Sequence, residues 1–319
     1  MGLFPTLRYH PKRSEKILMR KILDIQPKGS VADIRVISSN VYFHYFKNNP
    51  TFTDEDKDAH ADLMADTLAS TNADVLLLQE VSGRMLGKNL DYMWHERLDP
   101  RLEKHGYTMA DPEIAPLPKS SADAGNPENV NYTPIWYRAD VLEVVDCGHR
   151  FYDSVALNPD AYLSSSKSYT WVLFKEKATG KQFIAFSTHL TWHGKPDEAN
   201  LFRVQDVQNA MRKMAELAEK YPNVPMMLMG DCNCVVGSDP YREFTQYGLI
   251  NSKDVAKVCI NPTLSTIHGL GSTPGYGTII DHAMITDFGL NVKMYQTLAN
   301  LNVINMSDHL PVGIGFTLE

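Results

Sequence analysis

Six short apolar runs that read as β-strands end in polar motifs along this chain, and no other feature constrains the fold as strongly. The run from Val75 to Leu78 shows the pattern, because four aliphatic residues lead directly into Gln79 and Glu80. The motifs are Ser39-Asn40, Gln79-Glu80, Ser187-Thr188-His189-Leu190, Gly230-Asp231-Cys232-Asn233, Ile280-Asp281-His282 and Asn305-Met306-Ser307-Asp308-His309-Leu310-Pro311-Val312. Since strands of one sheet bring their ends to a common edge, we expect the motifs to meet in a single site.

The segments around these runs predict strands and helices in alternation. Ile34 to Val41 reads as a strand, and Asp56 to Ser70 carries apolar residues near helical spacing before the run at Val75. A strand-helix-strand unit is therefore expected there. Further strands are predicted over Pro225 to Met229, Thr278 to Ile285 and Val312 to Leu318.

The middle of the chain predicts a hairpin followed by a long helix. Tyr169 to Lys175 and Gln182 to Ser187 flank the turn-type sequence Ala178-Thr179-Gly180-Lys181, so the hairpin delivers His189 at its far end. From Pro196, apolar residues recur at three- and four-residue intervals until Tyr221-Pro222 stops the helix. This apolar stripe is typical of a helix that packs on a core.

Length and composition allow one large α/β domain or two smaller ones, since 319 residues with 43% hydrophobic content can bury a large core. No stretch reads as a linker, and the Pro- and Ser-rich stretch 111–127 is interpreted as a surface insertion. We expect an N-terminal extension over 1–30 and one domain over 31–319. The basic N-terminal segment has no apolar run long enough for a signal-peptide core or a membrane span. This predicts a soluble chain, either cytoplasmic or secreted after removal of a signal.

The net charge of -7 argues against a general high-affinity nucleic-acid binder, because phosphate backbones are held mainly by Lys and Arg. A nuclease is still allowed if a local basic rim receives the phosphate. Candidates for such a rim are Lys47, Arg84, Lys88 and Arg203. The four cysteines, which lack the paired spacing of a zinc site, are expected to be free thiols. No protein partner is implied.

Together and in this order, the six motifs resemble the endonuclease/exonuclease/phosphatase superfamily of metal-dependent phosphoesterases. This superfamily includes pancreatic-type deoxyribonuclease, apurinic-site endonucleases, neutral sphingomyelinases and inositol polyphosphate phosphatases. The resemblance runs from about Ile34 to Phe316. It implies an α/β (α+β) fold, a four-layer sandwich of two packed mixed β-sheets flanked by helices, with the site at one edge.

The resemblance implies a metal site at Asn40, Glu80 and Asp308. Phosphoester hydrolysis needs a cation that neutralises charge on the phosphoryl oxygens, and Glu80 supplies the hard oxygen ligand that Mg²⁺ or Mn²⁺ prefers. Asn40 would complete the metal shell or bind the phosphate; the alternative is a residue that only forms a turn at a strand end. Asp308 would reach the metal directly or through water.

The predicted catalytic residues are His189, Asp231, Asn233, Asp281 and His309. Asp231 and Asn233 stand two apart, so on an extended segment both side chains face one ligand. By resemblance, Asp231 orients or deprotonates the attacking water and Asn233 donates to the phosphoryl group. The alternative for each is an Asx turn after a strand.

His309 is the strongest acid-base candidate, and the resemblance pairs it with Asp281, whose carboxylate would fix the imidazole tautomer.

His189 would be a second donor to the phosphate. The nuclease and sphingomyelinase branches keep a histidine at this position, whereas the apurinic-endonuclease branch does not. In the deoxyribonuclease branch a glutamate holds this histidine, and Asn131 occupies the corresponding place here. An amide orients an imidazole but does not stabilise its positive charge.

Substrate contacts are assigned to Asn131, Tyr137, Trp192 and Arg203. An aromatic ring at Trp192 would stack on a base or cover an apolar leaving group, and packing at a sheet edge is the equally weighted alternative.

The resulting hypothesis is a Mg²⁺-dependent phosphodiesterase, nuclease-like or acting on a small diester, in which water attacks in line without a covalent intermediate. A phosphomonoesterase acting on inositol or sugar phosphates is the second reading, which the acidic charge favours. A catalytically silent binding scaffold is the third, although every principal site position is filled.

Overall fold

The computed structural model describes residue 29 and residues 33–42, 51–82, 94–110, 112–113, 131–152, 167–192 and 196–319. The strands are β1 Ile34–Asn40, β2 Val75–Gln79, β3 Val81–Ser82, β4 Tyr107–Ala110, β5 Asn131–Tyr132, β6 Ile135–Arg138, β7 Leu142–Phe151, β8 Ser168–Glu176, β9 Gln182–His189, β10 Met226–Asp231, β11 Ile250–Asn251, β12 Val258–Ile260, β13 Asp281–Ile285, β14 Leu290–Thr297 and β15 Val312–Leu318. The helices are α1 Asp54–Ser70, α2 Trp94–Lys104, α3 Pro196–Lys220, α4 Asp239–Gln246, α5 Ser252–Val255 and α6 Leu301–Met306.

Two mixed sheets form the centre of the molecule. One has seven strands in the order β12-β14-β15-β1-β2-β6-β4, and the other has six in the order β11-β13-β10-β9-β8-β7. A two-stranded ladder joins β3 to β5. Helices flank the pair of sheets, so the predicted four-layer sandwich is confirmed.

Alternation along the strands builds three apolar layers. In β2, Val75 and Leu77 face the other sheet, whereas Leu76 and Leu78 face α1 and α2. In β9, Phe183 and Ala185 face the seven-stranded sheet and Phe186 faces α3. Both faces of these strands are therefore covered, which explains why the sequence shows continuous apolar runs rather than strict alternation.

The predicted hairpin and helices are present. Antiparallel β8 and β9 pair from Lys175 opposite Gln182 to Ser168 opposite His189. Helix α1 begins with a capping box, in which the Thr53 hydroxyl accepts from the Asp56 backbone N–H and the Asp56 carboxylate accepts from the Thr53 N–H. The apolar stripe of α3 packs on the six-stranded sheet, as its spacing predicts.

Parallel pairing brings the polar strand ends together. In β1 and β2, Asn40 lies opposite Gln79, and in β9 and β10, His189 lies opposite Asp231. The two sheets are also joined near these ends, where the Gln79 amide donates to the Ser187 hydroxyl over 3.0 Å. Four of the six motifs therefore meet at one edge of the sandwich.

Strand β13 is shorter than predicted, because it begins at Asp281 instead of Thr278. The Thr278 backbone N–H donates to the Ser265 hydroxyl and the Ile280 N–H to the Thr266 hydroxyl, so these side-chain hydrogen bonds replace the strand ladder there.

The predicted N-terminal extension, apart from residue 29, and most of the insertion 111–127 lie outside the described residues. Within the described segments, no helix is long and apolar enough to cross a bilayer. All four cysteines are free, as expected.

Gly230 marks a close approach of β10 to β9. Its φ is +156°, and a Cβ on it would lie 1.8 Å from the Thr188 carbonyl oxygen. Gly230→Ala is therefore expected to lower the free energy of unfolding by about 3 kcal/mol, because backbone cannot move aside as a side chain can. Urea denaturation measures this loss. Gly237→Ala is the matched control, with a φ of +84° and open space around it, and is expected to lose only about 1 kcal/mol. Equal losses would contradict the clash.

Candidate active site

A cavity of about 510 Å³ opens at the edge where the strand ends meet. Eight of the predicted site residues line it: Glu80, His189, Trp192, Arg203, Asp231, Asn233, Asp308 and His309. Asn40 and Asp281 lie directly behind this lining and contact it through Asp231 and His309. The structure therefore brings ten of the twelve predicted residues into one cluster.

Asp231 is the centre of this cluster. Its Oδ2 lies 3.2 Å from His189 Nε2 and 3.8 Å from His309 Nε2, and it accepts a 3.1 Å hydrogen bond from the Asn40 amide. Burial alone would raise the pKa of Asp231, but the positive charges of His309, His189 and Lys167 outweigh burial and hold it well below its usual range. Asp231 is therefore an ionised carboxylate that accepts hydrogen bonds.

The chain turns sharply after Asp231 instead of remaining extended. Asn233 has a φ of 48°, and its backbone N–H donates to Asp231 Oδ1 over 2.9 Å. The predicted reason for placing Asp231 and Asn233 on one face is thus corrected, because an Asx turn brings both to the cavity. Cys232 is fully buried beneath them in the α3 layer. The Asn233 amide donates to the Leu190 carbonyl over 3.0 Å, and no described residue accepts from its second N–H.

His309 and Asp281 form the predicted pair. The distance from His309 Nδ1 to Asp281 Oδ2 is 2.9 Å, so Nε2 points toward Asp231 and the cavity. Burial would lower the pKa of His309, but the charges of Asp281 and Asp231 raise it to about 10. His309 therefore carries a proton at neutral pH.

The loop before His309 is tied to the first strand. The Ser307 hydroxyl donates to the Asn40 carbonyl over 2.7 Å and accepts from the His309 backbone N–H over 3.2 Å. Ser307 is fully buried, so the position of His309 is fixed relative to β1.

His189 has a cation beside it. The Lys167 ammonium lies 3.1 Å from His189 Nδ1 and also contacts Nε2. Burial and Lys167 together lower the pKa of His189, against the charge of Asp231. The expected partner Asn131 pairs through its backbone with Ser82 in the β3–β5 ladder, and its side chain lies outside the described residues. Lys167 contacts His189, and the contact between His189 and Asn131 stays a prediction.

Three carboxylates face the cavity and suit a divalent cation. Glu80 Oε1 lies 3.8 Å from His189 Nε2, and ligand atoms of Glu80, His189 and Asp231 all lie within 4.8 Å of one another. Burial raises the pKa of Asp308 to about 6, with a further contribution from Glu80 against that of His309. Asp308 Oδ1 is buried without a hydrogen-bond partner among the described residues, as expected for an oxygen that a hard cation would satisfy.

The backbone around these acids is strained. Glu80 and Tyr42, both at the cavity, have φ angles of 61° and 57°, a conformation that costs non-glycine residues on the order of 1–3 kcal/mol each. Asn40 occupies both ends of its amide within the protein, since its Oδ1 accepts from the Tyr42 N–H and its Nδ2 donates to Asp231. In this arrangement Asn40 orients Asp231, and metal binding by Asn40 stays a prediction.

The outer residues differ in their placement. The indole of Trp192 is 61% exposed at the cavity mouth. Arg203 on α3 lines the cavity while its guanidinium donates to the Thr191 carbonyl. Tyr137 is not brought to the cavity, because it pairs with Val75 at the far end of β2 and its ring packs against Phe174 between the sheets. Of the proposed basic rim, Lys47, Arg84 and Lys88 lie outside the described residues.

Lys167 and Ser307 contribute to the site without being predicted from sequence patterns. A signal for Lys167 exists in the hairpin register, because a turn centred between Ala178 and Thr179 places Ser168 opposite His189 and Lys167 just beyond it. Ser307 has no comparable signal, since its contact with Asn40 joins residues that are distant in the chain.

Known proteins share both this sequence pattern and this fold. The sequence pattern of the endonuclease/exonuclease/phosphatase family matches residues 37–309. The Ccr4 3'-5'-exoribonuclease subunit of the CCR4-Not complex from Yarrowia lipolytica is 22% identical over 215 residues, which are 58% of this chain. The match spans only 29% of the length of that relative.

Solved structures superpose over most of the chain. An endonuclease/exonuclease/phosphatase protein from Bacteroides vulgatus is 22% identical with a TM-score of 0.67, covering 90% of this chain and 99% of that one. A mannosyl-6-phosphatase from Bacteroides thetaiotaomicron VPI-5482 is 20% identical with a TM-score of 0.65, covering 89% and 100%. By its sequence match and its fold, this chain belongs to the endonuclease/exonuclease/phosphatase family, whose members are hydrolases of phosphoester bonds.

Proposed function

We propose that this protein is a divalent-cation-dependent phosphoesterase that cleaves P–O ester bonds by in-line attack of water. The observation that carries this proposal is the position of the Asp231 carboxylate, between the imidazoles of His189 and His309 and beside Glu80. A water that hydrogen-bonds to Asp231 would face a phosphate held by the surrounding donors.

The cation would be held by Glu80, whose ligand atom lies within 4.8 Å of those of Asp231 and His189. Asp308, which lines the same cavity, and Asn40 are the further predicted ligands. When bound, such a cation, Mg²⁺ or Mn²⁺ by the chemistry of its oxygen ligands, neutralises charge on the phosphoryl oxygens. Asp308 Oδ1, which is buried and has no hydrogen-bond partner in the described part of the chain, is the feature that most directly favours a cation here.

The remaining groups divide between water and phosphate. Asp231, ionised at neutral pH, orients the attacking water by accepting its hydrogen. His309 stays protonated beside Asp281 and donates to oxygens that gain charge in the transition state. His189, whose pKa burial and Lys167 lower, is a further donor to these oxygens, and the Asn233 N–H for which no described residue is an acceptor supports them as well.

Direct attack by water is favoured over a covalent intermediate by the state of the nearby thiols. Burial raises the pKa of Cys234 to about 12, and burial also raises the pKa of Cys232 well above its usual range. A protonated, buried thiol is a poor nucleophile. Neither cysteine is among the residues that line the cavity.

The ester class has two candidates. The pairing of two histidines with Asp231 and Asn233 favours a phosphodiester, the activity type named for the exoribonuclease relative. A phosphomonoester of a sugar or inositol is the second candidate, favoured by the cation Lys167 at the cavity and consistent with the mannosyl-6-phosphatase of similar fold. A silent scaffold is disfavoured because the complete set of reactive groups converges on one cavity.

Hydrolysis of an aryl phosphodiester and the matching aryl phosphomonoester tests this proposal. With Mg²⁺ or Mn²⁺ we expect turnover that chelation lowers by about 100-fold or more and that added metal restores, because the cation contributes several kcal/mol to transition-state stabilisation. Thermal unfolding before and after chelation provides the control for loss of structure. Turnover that persists in a chelator would contradict the proposed cation dependence.

A further inference from the structure

Lys167 is a buried cation at the active-site cavity, and the family resemblance gave it no role. It immediately precedes β8, where Ser168 lies opposite His189, and only 6% of its surface is exposed. Its carbonyl accepts a 2.9 Å hydrogen bond from the Tyr152 N–H, which fixes the backbone from which the side chain reaches the cavity.

The ammonium of Lys167 faces carboxylates that the proposed chemistry employs elsewhere. Its charge lowers the pKa of both Glu80 and Asp231. Lys167 lines the cavity, and its ammonium lies 3.1 Å from His189 Nδ1. Under the proposed function a phosphate binds in this cavity, so the ammonium is placed to contact its oxygens while it keeps its protein partners.

We propose that Lys167 binds the non-bridging oxygens of the substrate phosphate and directs the site toward dianionic phosphomonoesters. This inference rests on the proposed phosphoesterase function and selects the second of its two ester candidates, the phosphomonoester. The charge of the substrate is the discriminating property, because Coulomb energy is proportional to the product of the two charges. A monoester dianion carries twice the charge of a diester, so Lys167 stabilises it about twice as strongly.

Replacing Lys167 with methionine removes the charge and keeps an unbranched side chain. If the kcat/KM of Lys167→Met for an aryl diester falls by about 10-fold, that for the matching aryl monoester is expected to fall by about 100-fold, because twice the energy squares the ratio. Both rates are measured with saturating Mg²⁺ on the same preparation.

Two matched variants isolate the charge. Lys167→Arg keeps the charge and is expected to recover most of the monoester activity. Lys175→Met removes the same charge from the other end of β8, about 26 Å away at 3.3 Å per residue, and is expected to leave both activities unchanged.

Equal losses on the two esters would overturn the proposal, because they would mean that Lys167 acts only by positioning His189. A larger loss on the diester, or no loss, would overturn it as well. Should Lys167→Met fail to fold by circular dichroism, inhibition of the unaltered protein decides: methyl phosphate dianion is expected to bind at least about 10-fold tighter than dimethyl phosphate. Equal inhibition would reject the substrate class.

Calorimetry with inorganic sulfate, a dianion at neutral pH, separates this inference from the proposed function. If the unaltered protein hydrolyses neither ester, the proposed function fails. Sulfate binding that weakens about 10-fold or more in Lys167→Met would still support the anion site, whereas equal binding would reject it.

Discussion

Replacing His309 with alanine is expected to lower kcat/KM by about 100-fold or more, the loss typical of a buried donor aimed at developing charge. His309 Nε2 points into the cavity 3.8 Å from Asp231 Oδ2, and Nδ1 is held by Asp281 at 2.9 Å. Removing the ring takes away the protonated donor and leaves Asp281 as a buried carboxylate without its partner. Steady-state kinetics on the aryl esters, with Mg²⁺ saturating, measures the loss.

Asp281→Asn separates the charge of the pair from its geometry. An amide oxygen can still accept from His309 Nδ1, but the negative charge that raises the pKa of His309 is gone. Since the protonated form is the one required, activity is expected to fall at a lower pH in this variant, with its alkaline limb displaced from about 10 toward the ordinary histidine range. The control is His105→Ala, a change on the surface beside Asp66, which is expected to leave both turnover and its pH profile unchanged. Undiminished turnover in His309→Ala would remove His309 from the chemistry.

Glu80→Gln is expected to weaken binding of Mg²⁺ or Mn²⁺ by about 10-fold or more and to lower turnover by about 100-fold at limiting metal. Glutamine keeps the shape of the side chain and a carbonyl oxygen, but it removes one of the three carboxylate charges at the cavity. Raising the metal concentration should therefore recover part of the activity. Calorimetry with Mn²⁺ measures the affinity independently of turnover.

The control for Glu80→Gln is Glu143→Gln, an exposed position on β7. Urea denaturation of both variants is needed as well, because Glu80 lies near the positive charge of Lys167 and its replacement alters the balance of buried charge. Metal affinity and turnover that both match those of the unaltered protein would exclude Glu80 as a ligand.

Local patterns predict the framework of this fold well. The spacing of apolar residues from Pro196 defines α3, and the turn at 178–181 defines the β8–β9 hairpin with His189 at its end. These predictions succeed because helix periodicity and hairpin turns depend on residues that are close in the chain. The meeting of the strand ends follows from parallel pairing of β1 with β2 and of β9 with β10.

Details that depend on distant contacts are beyond such patterns. The extended segment expected at Asp231 and Asn233 is replaced by an Asx turn, because a carboxylate oxygen captures a backbone N–H two residues on. The start of β13 is shortened by hydroxyls of Ser265 and Thr266, which come from a loop elsewhere in the chain. One neighbour of His189 is Lys167, 22 residues earlier, which composition alone does not distinguish from a surface lysine.

The order in which the chain contributes to the two sheets also bears on its synthesis. β1 pairs with β15 on one side, and β15 is the last of the described strands in the chain. β15 also separates β1 from β14, so this side of the sheet is incomplete without it. His309 lies in the loop just before β15. This loop is held by the hydrogen bond from Ser307 to the Asn40 carbonyl, which joins residues 267 positions apart in the chain. A chain that ends before this loop therefore lacks His309 and the strand between β1 and β14, so we expect its site to be incomplete.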